Sequence, residues 1–165
     1  MKACDEFKGN YFEFQVPDRE KGFYGSHFRQ NCLIQPTKLC LITITELPFF
    51  ICPLDEIEIV CFERTYVNSR TFDMVIVKKD YENFSKINAI PIQDDERIKN
   101  WLDDCNIVFY DQRRPLNWVK FLSTIKNDFK KFVEDGGWMV WDEADEEEHE
   151  RSDESFSASN FSSDS

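Results

Sequence analysis

Two histidines, His27 and His149, six cysteines and a few adjacent carboxylate pairs are the side chains of this sequence whose types could carry out chemistry. The cysteines, at 4, 32, 40, 52, 61 and 105, form no Cys-x-x-Cys pair, and four of them lie inside apolar segments. Structural zinc needs closely spaced ligand pairs, so these cysteines are expected to be reduced and to pack as small hydrophobes, with no metal. Nucleophilic catalysis is equally short of parts: there is no Gly-rich phosphate loop, no His-Glu-x-x-His and no histidine placed to complete a triad. Asp94-Asp95 and Asp103-Asp104 could do acid–base work in principle, but on an acidic chain such pairs are expected to be solvated helix ends. Neither an enzyme nor a cofactor is expected.

The chemistry that remains is that of a polyanion. Lys and Arg total 20 against 32 Asp and Glu, a formal net charge of -12. Residues 142–165 hold ten acidic side chains and one basic one, so they carry -9 and the rest of the chain only -3. Such a balance repels phosphate backbones and anionic lipids and calls for a basic partner; no nucleic acid and no membrane is expected to bind. After the acidic run the chain turns Ser-rich, with too little apolar surface to offset the entropy of ordering, and 142–165 is expected to be disordered when unbound.

The remainder must fold. Apolar residues make up 41% of the 165, aromatics 15%, and Phe alone numbers 16, which suits one packed unit plus a tail. No apolar run approaches the roughly 20 residues of a membrane span, and residues 1–21 lack the apolar stretch of a secretory signal, so a soluble intracellular protein is expected.

Between Asn31 and Ile92, short alternating or β-branched segments bounded by Pro, Asn, Asp or charge predict strands at 39–46, 49–52, 57–64 and 72–78, with a weaker one at 85–90. In the first, Cys40, Ile42 and Ile44 are expected on the buried face and Thr43 and Thr45 on the other. The period then changes. Ile98, Trp101, Leu102 and Cys105 recur at helical spacing after Asp94-Asp95-Glu96, and Trp118, Phe121, Leu122 and Ile125 do so after Asn117, the expected N-cap. Phe129, Phe132 and Val133 prolong the second helix until Gly136-Gly137, after which Trp138 to Trp141 is expected to return in extended form. Strands first and helices last predict an α+β fold, a small β barrel or sandwich closed by a helix.

Several words in this order, Gly22-Phe23-Tyr24-Gly25, Leu33-Ile34-Gln35-Pro36-Thr37, Glu56-Ile57-Glu58-Ile59-Val60, Phe72-Asp73-Met74, Leu116-Asn117-Trp118 and Gly136-Gly137-Trp138, carry a family likeness. From near Phe12 to the acidic tail the chain resembles the C-terminal part of the large subunit of FACT, the nuclear histone chaperone. One departure is that Asp128 is followed by Phe129, where the family commonly has Asp-Pro.

The resemblance implies an N-terminal extension (1–11), a pleckstrin-homology-like β barrel with a capping helix (12–110), a helical U-turn segment (111–141) and the disordered acidic tail (142–165). It implies a U-turn built on Phe129, Phe132, Gly136, Gly137 and Trp138. It also implies core histones as partners, with Asp145, Glu146, Glu147, Glu148, Glu150, Asp153 and Glu154 competing with DNA for the basic surface of the 2A/2B dimer and Trp141, Phe156 and Phe161 as apolar anchors. The 3/4 tetramer would meet the barrel. Other FACT subunits or chromatin factors, and a nuclear, chromatin-bound location, belong to the same expectation. A pleckstrin-like adaptor with a merely solubilising tail is the alternative. A phosphoinositide site would need a basic cluster at the open end of the barrel, whereas Lys78-Lys79, Arg113-Arg114 and Lys130-Lys131 are only pairs.

Overall fold

The structure, a computed structural model, describes residues 16–45, 47–66 and 68–139. Its strands are β1 (Phe23–His27), β2 (Gln30–Pro36), β3 (Cys40–Thr43), β4 (Phe50–Pro53), β5 (Ile57–Glu63), β6 (Thr71–Lys78), β7 (Phe84–Pro91) and β8 (Phe109–Gln112). The helices are α1 (Asp95–Asp104), α2 (Trp118–Asn127) and α3 (Phe129–Glu134). The eight strands make one sheet in the order β4-β3-β2-β1-β7-β6-β5-β8, antiparallel throughout except where β8 runs parallel to β5.

One core is shared by Phe23, Ile34, Leu41, Phe50, Phe62, Met74 and Ile87, which come from seven different strands, and by Ile98 and Leu102 of α1. A sheet whose seven strands point one face at a common cluster must curl around it, and α1 fills the opening, as a pleckstrin-homology-like α+β fold requires. Gly25 makes the curl possible where β1 meets β7. A Cβ there would sit 2.5 Å from Cγ2 of Ile87, so only glycine lets the two strands approach.

β5 and β6 are buried on both faces. Val60, Phe62, Met74 and Ile76 point into the shared core, while Ile59, Cys61, Val75 and Val77 point outward under Trp118, Leu122 and Ile125. That is why 74–77 reads as a continuous apolar run instead of an alternating one.

In β3 the expected faces are reversed. Leu41 and Thr43 are buried, whereas Cys40 and Ile42 are half-buried and Ile44 is exposed. Pairing with β4 sets Leu41 opposite Cys52 and Thr43 opposite Phe50, both buried, so the register overrides the count of apolar residues per face. Two further expectations are corrected. The helix after Pro115 is not continuous, because Asp128, with φ -142° and ψ 65°, ends α2 and caps α3 by accepting a hydrogen bond from the Lys131 amide. Beyond it, residues 137–139 form a 3-10 turn, not an extended strand, because Gly136 and Gly137 both take left-handed φ angles (100° and 62°) and curl the chain.

β8 crosses the boundary expected between 110 and 111, and β1 lies ahead of the region where strands are expected. Cys32, Cys52 and Cys61 are buried, and burial pushes the Cys52 thiol up to about 11. Among the described residues no group of three or more His, Cys, Asp or Glu could hold a metal, and no helix is long and apolar enough to cross a membrane.

Candidate protein-interaction surface

The segment from Leu116 to Met139 lies on the outer face of β5 and β6, and two glutamates of β5 hold its two ends. Glu63, 0% exposed, accepts hydrogen bonds at Oε1 from the Leu116 amide and the Trp118 indole N–H, each 2.8 Å long. Its other oxygen accepts from the Lys86 ammonium. Glu58 does the same work at the far end, its Oε1 accepting from the Tyr81 hydroxyl at 2.6 Å and the Trp138 indole at 3.2 Å. A register shift between Ile57 and Ile59 breaks strict alternation along β5 and lets Glu58 serve the outer face.

Each buried carboxylate oxygen bonded in this way is a charge-assisted acceptor, stronger than a neutral one and costly to leave alone. Asp73, next to this site, is bound by Arg64, Lys86 and the Ala89 amide, so the charges beneath the helices are compensated.

Between these anchors the ring packing is continuous. Trp118 meets Phe121 edge-on at 5.9 Å, Phe121 lies 6.0 Å from Trp138, and Trp138 meets Phe132 at 5.0 Å and stacks on Tyr81 at 6.2 Å. Phe129 closes the group against Tyr81 at 5.2 Å. Burial, and then the hydrogen bond to Glu58, push the Tyr81 phenol up to about 12. Asn117 starts α2 as expected, its side chain accepting from the Lys120 amide at 3.1 Å.

The outward side of this layer is mixed: Val119, Phe129 and Val133 are exposed among Lys120, Lys126, Lys130, Lys131 and Glu134. The structure therefore brings Phe129, Phe132, Gly136, Gly137 and Trp138 together in one reversal of the chain. Trp141, Asp145, Glu146, Glu147, Glu148, Glu150, Asp153, Glu154, Phe156 and Phe161 lie outside the described residues. Glu58, Glu63 and Tyr81 are not among the expected site residues; Glu63, as the last residue of β5, carries no signal in the sequence that marks it as buried.

The other candidates do structural work. Asp94 binds Arg97 at 2.7 Å and Asp95 binds Lys99 at 3.1 Å, both at the start of α1. The basic pairs sit on three separate elements, and Lys78 is held by Glu56 at 2.9 Å.

A family model for the middle domain of Rttp106-like histone chaperones matches residues 24–111, from β1 to β8. The FACT complex subunit SPT16 of Dictyostelium discoideum is 47% identical over 131 residues, covering 79% of this chain and 12% of that protein. The subunit SPT16 of Oryza sativa subsp. japonica is 41% identical over 159 residues (93% and 15%), and spt-16 of Caenorhabditis elegans 40% over 139 residues (83% and 14%). The chain thus spans about 12–15% of the length of these curated relatives.

Proposed function

The chain belongs to the Rttp106-like middle-domain family of histone chaperones, and from that premise we propose that it is a histone-binding module of the FACT type, without enzymatic activity. The observation that carries the reading is one of adjacency. Three exposed apolar side chains, Val119, Phe129 and Val133, lie on the segment that leads to Trp138, and the acidic run opens at Asp142, four residues later. A basic protein with an apolar surface meets both: the acidic side chains Asp145 to Glu150, Asp153 and Glu154 draw it in, and the apolar ones, with Trp141, Phe156 and Phe161, give it a place to dock.

The 2A/2B dimer is the partner assigned to the U-turn and tail, and the 3/4 tetramer the one assigned to the barrel. This serves disassembly and reassembly of nucleosomes in the nucleus during transcription, replication and DNA repair, together with other FACT subunits. The test is capture of each histone pair, separately, by the full chain and by the E146Q/E147Q/E148Q variant at about 0.15 M salt. Capture of the dimer is expected to fall in the variant while the tetramer is retained. A wild-type chain that retains neither overturns the reading.

A further inference from the structure

Beside the helical layer is a second surface that the histone-binding reading does not use. The β1–β2 hairpin turns in two residues, closed by the pair His27 and Gln30. Those residues, Phe28 and Arg29, both take left-handed φ angles of 47° and 65°, in a turn that ordinarily calls for Asn-Gly. A bulky residue held at positive φ is strained, and the strain here lifts the Phe28 ring into solvent, 65% exposed.

Behind it the His27 ring, 7% exposed, lies 4.2 Å from Phe28 and 4.6 Å from Phe50. Nδ1 of His27 is 3.1 Å from the carbonyl oxygen of Lys86, which can only accept, so Nδ1 carries the proton. Nε2 is buried and has no hydrogen-bond partner among the described residues. These groups line a cleft of about 440 Å³ together with Phe49, Ile51, Lys78 and Lys86. Among the described residues no carboxylate lines it; Glu56 pairs with Lys78, and Glu63 and Asp73 with Lys86, while Arg29 at the turn is exposed.

We propose that this cleft is the docking site of the chain's own segment Asp153-Glu154-Ser155-Phe156. Phe156 supplies the apolar side chain for the Phe28 and Phe49 walls, and Asp153 and Glu154 face the exposed Arg29 at the rim. Phe161 fits less well, since Asn160 and Ser162 flank it and no acid precedes it closely.

The tether starts in the right place. The Trp138 ring stacks on Tyr81, and Tyr81 stands three residues from both Lys78 and Phe84 of the cleft. Eighteen residues separate Trp138 from Phe156, and an extended chain of that length spans up to about 60 Å, more than enough to reach. Tethering of this kind gives an effective concentration in the millimolar range, so a weak contact suffices. The docked segment withholds Phe156 from other partners until a basic protein displaces it. The inference goes beyond histone binding, and its test contains no histone, so its failure leaves that reading standing.

The experiment is heteronuclear NMR of the full chain and its F156A and F161A variants. F156A is expected to move the His27 ring signals and the amide signals of Phe28, Phe49 and Ser85, and F161A to leave them in place. A peptide of residues 150–160 added to the F156A chain is expected to return them, saturably, to the wild-type positions. Unmoved signals in F156A, equal shifts in F161A, or equal recovery with a peptide bearing Ala at 156 would each overturn the proposal.

Discussion

The indole N–H of Trp118 donates a 2.8 Å hydrogen bond to Oε1 of Glu63, 55 residues earlier in the chain. Both residues are buried, so this contact fixes where the helical segment begins on the sheet.

Replacing Trp118 by Ala removes the largest side chain of the outer core and is expected to cost about 3–5 kcal/mol in urea unfolding. Trp118→Phe keeps most of that volume but loses the donor, and is expected to cost about 0.5–1.5 kcal/mol for the hydrogen bond. Glu63→Ala removes the acceptor that the Leu116 amide and the indole share, together with the countercharge of Lys86. Breaking such a buried pair is expected to cost about 3–5 kcal/mol, with Glu63→Gln milder. A Glu63→Ala chain as stable as wild type would mean that the helices are held by apolar contact alone.

Gly25→Ala is expected to lose about 1–3 kcal/mol, because the new methyl meets Ile87 at 2.5 Å and β1 must move off β7. The double variant Gly25→Ala with Ile87→Leu removes the colliding Cγ2 methyl while keeping the side-chain volume. Partial recovery of the urea midpoint in the double variant checks that crowding is the cause.

Tyr81 makes stability fall at high pH. Its folded pKa, about 12, lies above the ordinary phenol value of 10.0, so the folded form holds its proton more tightly. The contribution is fully present below about pH 10 and is lost as pH rises from there through about 12. Stability followed against pH should therefore decline less steeply in Tyr81→Phe than in wild type across that window. Parallel curves would contradict the assignment.

Much of this architecture is legible in the residues. Helical spacing of Ile98, Trp101, Leu102 and Cys105 places α1 against the core, and Asn117 starts α2 because a short polar side chain there can accept from Lys120. What escapes is whatever depends on partners distant in sequence. The face of β3 is set by its register with β4, which no local count of apolar residues reveals. β8 is a short parallel edge strand whose four residues are all half-buried, so it carries no alternation to detect. Glu63 looks like a strand-end charge until the Trp118 indole and the Lys86 ammonium are seen beside it. The break at Asp128 is not legible either, because the stripe of Phe129, Phe132 and Val133 continues the helical period across it.

The central claim is that exposed apolar side chains and an acidic run together recognise a histone dimer. It is tested most directly by titrating the 2A/2B dimer against three full-length chains, wild type, F129A/V133A and E146Q/E147Q/E148Q, at several salt concentrations. Val133 is exposed and Phe129 half exposed with one edge on Tyr81, so urea unfolding of the first variant is measured alongside to separate binding from stability. This variant is predicted to bind about 1–3 kcal/mol more weakly, mainly through faster dissociation and with an unchanged salt dependence. The second variant is predicted to associate more slowly and to show a flatter salt dependence. An F129A/V133A chain that binds as wild type does would leave only charge attraction and contradict the account.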